Sequence, residues 1–245
     1  MTPQMHASPA AGIGQKKEML HAIYEVYTRW VERFPLACQK GCAACCTQSV
    51  TMTSLEGEMI LDFVKAEARE EWLLAKLAQA IPGRSKATIT TNQFADACLK
   101  HQEIGEDTSG SWDFTPCVFL EDNNCSIYEV RPFGCRSFGS LVQCEADRAA
   151  EMIPMHLTVN TVITQIIEHV SSNGGCWSAM ADILHNLAHC ETRVGKIHLL
   201  QAQPVPGFLL EPHEMQVVKV LLQELCGQFS GKTIFGDLID NFMPI

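Results

Sequence analysis

The sequence predicts a mainly α-helical fold, an irregular helical domain with two cysteine-bearing loops and a small β-hairpin or knuckle. Apolar residues recur at helical spacing in several long segments. The chain shows neither an internal repeat nor the alternation of strands and helices that a parallel sheet requires. Seven of the twelve cysteines fall in two irregular stretches, CQKGCAACC at 38–46 and TPCVFLEDNNCSIYEVRPFGCRSF at 115–138.

The first helix is predicted over residues 18–34. Pro35 ends it, because proline cannot continue the helical hydrogen bonding. Residues 1–15 are expected to form a disordered lead. The apolar residues that predict this helix are Met19, Ile23, Val26, Tyr27, Trp30, Val31 and Phe34.

The second helix begins at a predicted capping box, Thr53 and Glu56, and is expected to run to about Ala80. Another helix is expected over 91–101, and the polar stretch GEDTSGSW at 105–112 is expected to form a loop.

The second cysteine segment predicts a short hairpin. Residues 118–120 and 126–128 favour extended structure, and the acidic and amide residues at 121–124 between them are typical of a turn.

Helices return after the second segment. Residues 177–190 predict one helix, 201–207 read as a proline-bearing connector, and Pro212 opens a helix to about Leu225. A further helix is marked by an i, i+3, i+4 stripe of Val159, Val162, Ile163, Ile166, Ile167 and Val170.

The chain has 245 residues, of which 47% are hydrophobic, so a sizeable core can form. We expect one domain over 16–245, with its metal-binding part at about 35–138 and a helical part at about 145–245. A net charge of −10 argues against binding to nucleic acid or to anionic membranes. No run of 18 apolar residues occurs, and the first residues lack the apolar core of a signal peptide. A cytoplasmic protein is expected.

Dense cysteines in a reducing compartment indicate metal binding or catalysis more than disulfides. Spacings of two to four residues let two sulfurs meet one metal. Gly41 and Gly134 precede cysteines and would allow tight loops. Arg131 and Arg136 could balance the thiolate charge, so we predict both as cofactor-binding residues. The predicted metal ligands are Cys38, Cys42, Cys45, Cys46, Cys117, Cys125 and Cys135.

These motifs resemble the CxxCxxCC cysteine-cluster family, also called the YkgJ family, a zinc- or iron-chelating domain. The resemblance covers about residues 35–138. The first gap here is three residues instead of two, and Val118 stands where the family often has proline. The family signature in the second segment is matched at Cys125, Ile127, Tyr128, Arg131, Pro132, Cys135 and Arg136. The resemblance implies metal chelation.

Several chemical alternatives stay open at this point. Seven thiols exceed one zinc, so two bridged zincs or one [4Fe-4S] cluster with spare thiols are possible. The all-cysteine set favours an iron–sulfur cluster with an electron-transfer, sensing or structural role. Because the vicinal Cys45 and Cys46 are expected to point in different directions, one of them could face away from the metal.

The C-x3-C-x2-C spacing of Cys38, Cys42 and Cys45 is that of radical S-adenosylmethionine enzymes. A group of flagellin lysine N-methylases also resembles this family. A cluster-dependent protein lysine N-methyltransferase that uses S-adenosylmethionine is therefore one alternative, and a structural zinc-binding interaction protein is another. Both would have a protein substrate or a protein partner.

The remaining candidates favour structural roles. His185 and His189 have the i, i+4 spacing of a helical metal site, but we predict both on the solvated face beside Asp182. Cys144 could be a spare ligand. Small buried hydrophobic roles are expected for Cys98, Cys176, Cys190 and Cys226.

Overall fold

The computed structural model describes residues 12–81, 83, 86–104, 113–144, 150–189, 196–229 and 234–242. Within them the chain is mainly helical, which confirms the predicted class. The helices are α1 (Ile13–Val31), α2 (Ser54–Ala66), α3 (Glu70–Leu77), α4 (Thr91–Leu99), α5 (Phe133–Arg136), α6 (Pro154–Ser171), α7 (Met180–Leu187), α8 (Pro212–Gly227) and α9 (Ile234–Phe242). A 3-10 turn covers Tyr128–Val130.

The strands are short and antiparallel: β1 (Thr51–Thr53), β2 (Leu120–Glu121), β3 (Asn124–Cys125), β4 (Cys176–Ala179) and β5 (Leu200–Gln201). Strand β4 lies between β1 and β5 in a three-stranded sheet. Strands β2 and β3 form the predicted hairpin, with Leu120 opposite Cys125. Asp122 and Asn123 form its two-residue turn with positive φ angles, which asparagine and aspartate tolerate.

Two hydrophobic cores organise the described residues. The larger core lies among α1, α6, α8 and α9, and Leu20, Ile163 and Leu225 are fully buried in it. The smaller core joins α2, α3 and α7 to the hairpin, and Phe119 and Ile127 are buried there. The cysteine segments lie against the smaller core, because Cys117 and Cys125 pack on it.

The predicted helix from Thr53 to Ala80 is wrong in its length, although its capping box is confirmed. Helix α2 ends at Ala66, and Ala68 takes a left-handed conformation with φ 50°. The Arg69 N–H donates to the Val64 carbonyl and the Ala68 N–H to that of Lys65, which is a Schellman ending. The bend lets Trp72 of α3 reach Phe119 of the hairpin segment, with 5.9 Å between ring centroids.

The predicted helix over 177–190 is wrong at its beginning. Trp177, Ser178 and Ala179 belong to β4 and pair with β1, so helix α7 starts at Met180. The connector over 201–207 begins inside β5.

The predicted first helix exists, but it begins at Ile13 and ends at Val31, three residues before the predicted end, so residues 13–15 are not part of a disordered lead. Residues 1–11, the loop at 105–112 and Cys190 lie outside the described residues. The helix that Pro212 opens is confirmed, and α9 was not predicted. In the described ranges, no helix is both long and apolar enough to cross a bilayer.

Candidate metal centre

One cavity collects the thiols of both cysteine segments. Its volume is ≈ 210 Å³. A single bound water needs roughly 10–15 Å³ of cavity volume. This cavity is many times larger, so it has room for more than one ion. All seven predicted ligands line it: Cys38, Cys42, Cys45, Cys46, Cys117, Cys125 and Cys135. The structure therefore brings these residues together, and their role as ligands stays a prediction.

The first cysteine loop, residues 38–46, is shaped by two tight turns. The Cys42 N–H donates to the Gln39 carbonyl at 3.0 Å, and the Cys46 N–H donates to the Ala43 carbonyl at 3.0 Å. Gly41 has φ 93°, which glycine adopts without steric cost and other residues rarely do. These turns direct the four thiols of the loop toward one side.

A backbone hydrogen bond joins the two cysteine segments at the cavity. The Cys117 N–H donates to the Cys46 carbonyl at 2.9 Å. Beside it, Thr47 and Pro116 form an isolated antiparallel bridge. Two cysteines that are 71 positions apart are thus held side by side by the main chain.

Amide groups point at two of the sulfurs in the second segment. Backbone hydrogen bonds from Phe119 and Ile127 lower the pKa values of Cys117 and Cys125, although burial raises both pKa values more. Each amide lies two residues after its cysteine. Hydrogen bonds to sulfur are a usual feature of iron–sulfur and zinc loops, where they stabilise the charged thiolate.

The turn that carries Cys135 is fixed by a buried carboxylate. Glu56 accepts hydrogen bonds from the Phe133 N–H at 2.7 Å and from the Tyr24 hydroxyl at 2.8 Å. The same carboxylate also accepts the Thr53 N–H and hydroxyl. A Cβ on Gly134 would lie 2.9 Å from the Thr51 carbonyl oxygen, so α5 sits directly on β1. Cys135 is therefore held by α1, α2 and β1 together.

Both predicted arginines line the cavity, and they stabilise its wall through carbonyl groups. Arg131 donates to the Tyr128 carbonyl at 2.7 Å, and its guanidinium lies 3.6 Å from the centre of the Tyr128 ring. Arg136 donates to the carbonyls of Arg131 and Glu129. The Glu129 carboxylate lies 3.7 Å from the Lys40 amine. Arg136 therefore contacts Glu129 through its main-chain carbonyl, whereas the Glu129 carboxylate pairs with Lys40.

The thiols of the cavity differ in acidity. Burial raises the pKa of Cys117 to about 11 and raises the pKa of Cys135 further, with neighbouring thiolates adding to the effect. A hydrogen bond from the Cys45 thiol lowers the pKa of Cys46 and raises that of Cys45. Both vicinal cysteines line the cavity, so neither of them faces away from it.

In the described part of the chain, no three His, Cys, Asp or Glu side chains already stand in positions that could hold a metal ion. The donor set nevertheless fits a soft metal, because thiolates select zinc and iron–sulfur clusters. Amides donate to the sulfurs of Cys117 and Cys125, and binding would exchange the interaction between the Cys45 and Cys46 thiols for bonds to metal. Cysteines from both segments would hold it, and the amides would stabilise their charge.

Other predicted residues lie elsewhere. The prediction of a solvated face for His185 is wrong, because His185 and Asp182 are both buried. The His185 ring nitrogen bonds the Leu77 carbonyl at 3.1 Å, and Asp182 accepts the Gly83 and His198 N–H groups. Outside the cavity lining, Cys176 and Cys226 are half-buried and pack against the two cores.

Sequence reasoning missed the residues that support the cavity from outside both motifs. The sequence assigns Glu56 only a helix cap, and it does not single out Tyr24 at all. No motif links them to Cys135, because their contacts join three elements that are distant along the chain. The sequence offers one indirect indication of these contacts, which is that Pro132 and Phe133 directly precede the turn with Cys135.

The comparisons with known proteins give one match. The model of the CxxCxxCC family, described as "Putative zinc- or iron-chelating domain", matches residues 37–153. Neither a curated protein nor a solved structure matches the chain.

Proposed function

Residues 37–153 of this chain belong to the CxxCxxCC family, and from that premise we propose that the protein binds zinc or iron through cysteine thiolates at the cavity. The observation that carries the proposal is the convergence of seven thiols from two distant segments on one cavity. Packing alone gives no reason to gather so many thiols, because crowded thiolates repel one another unless a cation binds them.

The finer proposal is an iron–sulfur cluster, most simply [4Fe-4S]. Three features support it. Among the described residues, the lining offers sulfur ligands and no histidine, which suits clusters held by cysteine. The Phe119 and Ile127 amides donate to sulfurs. Arg131 and Arg136 bring positive charge to the same wall, which would offset the negative charge of the cluster.

The position of the cavity favours electron transfer or sensing. Cys38 and Cys45 are exposed, whereas Cys42, Cys46 and the cysteines of the second segment are partly buried. A centre there would have one edge near solvent, where electrons or small oxidants can reach it. A purely structural zinc site would be closed on all sides. The comparisons give no support to S-adenosylmethionine, so methyl transfer is not part of this proposal.

The test is anaerobic purification followed by assays for iron, zinc and acid-labile sulfide, with an absorption spectrum. Iron and sulfide in equal amounts, with a broad charge-transfer band, would support the cluster. Zinc without sulfide would reject the cluster and keep the metal centre. Protein without stoichiometric metal would reject the proposal.

A pair of variants connects the metal to the cavity. Cys125→Ser removes a thiol that lines the cavity, whereas Cys98→Ser removes a half-buried thiol on α4 that does not. We expect Cys125→Ser to lower metal content and Cys98→Ser to leave it unchanged. Equal losses in both variants would show that the metal is bound elsewhere.

A further inference from the structure

An eighth thiol lies beside the cavity. The Ala37 N–H donates to the Ser140 carbonyl at 2.7 Å, which ties the start of the first cysteine loop to the segment after α5. Burial raises the pKa of Cys38, a backbone hydrogen bond from Ser140 lowers it, and the neighbouring charge of Cys144 raises it again. Cys38 and Cys144 are therefore neighbours, although Cys144 is absent from the lining of the cavity.

The segment that presents Cys144 is braced. The Ser140 hydroxyl donates to the Val142 carbonyl and accepts the N–H groups of Val142 and Glu151. The Leu141 N–H donates to the Glu151 carbonyl at 2.9 Å. Cys144 thus follows a turn that is fixed by four hydrogen bonds, and its approach to Cys38 is part of the fold.

The eight thiols can be sorted into two groups by the chain segments that carry them. Cys46 and Cys117 are joined by a backbone hydrogen bond, and Cys125 and Cys135 follow on the hairpin and on α5. We call these four the inner group. The outer group consists of Cys38, Cys42 and Cys45 on the first loop, together with Cys144.

Electrostatic neighbours follow the same division. The thiols that act on Cys46 are those of Cys45, Cys135, Cys117 and Cys125. The thiols that act on Cys38 are those of Cys144, Cys42 and Cys45. Cys45 acts on Cys38 in the outer group and on Cys46 and Cys135 in the inner group, so it lies at the boundary between them.

We propose that the eight cysteines form two metal sites with four sulfurs each, an inner site and an outer, solvent-facing site. The inner site would use Cys46, Cys117, Cys125 and Cys135, and the outer site Cys38, Cys42, Cys45 and Cys144. Four thiolates complete one tetrahedral zinc or one cubane cluster. The division leaves no spare thiol in the cavity. This inference rests on the proposed metal-binding function.

The two sites differ in what stabilises them. Amide groups donate to Cys117 and Cys125, and the positive charges of Lys76 and Arg131 act on inner thiols. Loss of such surrounding partners costs roughly 10–100-fold in metal affinity. The outer site faces solvent at Cys38 and Cys45. The inner metal should therefore be retained and the outer metal exchanged.

Native mass spectrometry of the anaerobically purified full chain counts the metal on each molecule during a timed EDTA challenge. We expect two populations, with outer metal lost roughly tenfold faster than inner metal. Cys144→Ser and Cys38→Ser should remove the fast population and leave the slow one. Cys98→Ser, the matched half-buried control, should behave as the wild type.

These variants change the solvent-facing edge, so the fold and the inner site should persist in them. Metal that leaves in one phase, with Cys144→Ser equal to Cys98→Ser, would overturn the two-site inference and leave the proposed function intact. Wild-type protein without metal would overturn both.

Discussion

Arg136 has two roles at the cavity, because it supports the loop before Cys135 and brings a positive charge close to the Cys135 sulfur. Its guanidinium donates to two carbonyls on the loop before Cys135 and lies 4.3 Å from the centre of the Tyr24 ring. It therefore fixes the loop that carries the cysteine and places a positive charge near its sulfur. Lysine could not make both bonds in this planar geometry.

We expect Arg136→Gln to keep the fold and to release metal roughly tenfold faster during a timed chelator challenge, because the loop loses its brace and the sulfurs lose a nearby charge. Arg29→Gln is the control, since Arg29 is an exposed residue that pairs with Glu224 on α8. Metal content after the challenge is the measurement. Identical release from both variants would show that Arg136 has no role in retention.

The acidity of the thiols predicts how metal affinity depends on pH. The pKa of Cys117 is raised to about 11, and burial also raises those of Cys125 and Cys135. These thiols keep their protons at neutral pH in the metal-free protein, and metal uptake must expel them. Affinity should therefore rise with pH and fall as pH is lowered.

Each released proton changes the apparent affinity roughly tenfold per pH unit. Competition with a chromophoric chelator, corrected for the protonation of that chelator, should show a steep loss of affinity from about pH 8 to about pH 6. Cys125→Ser should reduce the slope by about one proton, whereas Cys98→Ser should keep it. A flat profile would mean that the ligands are already ionised.

At the scale of elements, Glu56 is the point at which α1, α2 and α5 meet. Its carboxylate is buried and accepts four hydrogen bonds, two of them from groups outside its own helix cap. Glu56→Gln would place an amide NH2 against two of those donors. A buried donor without an acceptor costs about 1–3 kcal/mol.

We expect Glu56→Gln to lower the free energy of unfolding by about 2 kcal/mol, measured by urea denaturation. Glu58→Gln on the same helix is the control, because Glu58 makes a long ion pair of 3.9 Å with Lys17. Metal retention should fall in the first variant alone, since Cys135 follows the turn that Glu56 holds. Equal stability of the two variants would contradict this role.

The elements that the sequence predicts well are those with local signals. Three such signals act within four residues: the capping box at Thr53 and Glu56, the proline that opens α8, and the polar turn of the hairpin. The elements that it misses depend on distant partners. Strand β4 is four residues long and exists because β1 and β5 pair with it.

Local exceptions account for other errors. Helix α2 ends at an alanine in the left-handed region, where glycine would have marked the end. His185 lies opposite the predicted apolar stripe of its helix, but α3 covers that side, and the Leu77 carbonyl provides a partner for the ring. The burial of a polar residue depends on which element packs over it, and helical periodicity carries no such information.

The same distinction between local signals and distant contacts applies to the candidate site. The cysteine spacing predicted which thiols converge, because the two segments carry dense and specific motifs. The groups that hold those segments together, such as Glu56 and the backbone pair of Cys46 and Cys117, depend on tertiary contacts. The approach of Cys144 to Cys38 likewise follows from the contact between Ala37 and Ser140.

At the scale of the whole molecule, the metal centre would lie at the edge of the smaller core. The hairpin segment packs its Phe119 and Ile127 side chains into that core, and its Cys117 and Cys125 lie at the edge of the core, where they line the cavity. Its strands are two residues long, and hairpins of this size are marginal in water without further support. A metal that joins the two segments would supply that support.

We therefore expect metal removal to destabilise the protein, because the free energy of metal binding becomes free energy of folding. A loss of 3 kcal/mol or more corresponds to a fall in Tm of about 6–12 °C for a chain of this size. Chelated wild type and Cys125→Ser should both show this fall in calorimetry, and Cys98→Ser should not. Hydrogen exchange should accelerate first at the hairpin and α3, while α6 and α8 in the larger core stay protected. If the metal-free protein melts within a degree or two of the loaded protein, the centre is peripheral to the fold and its role in stability is excluded.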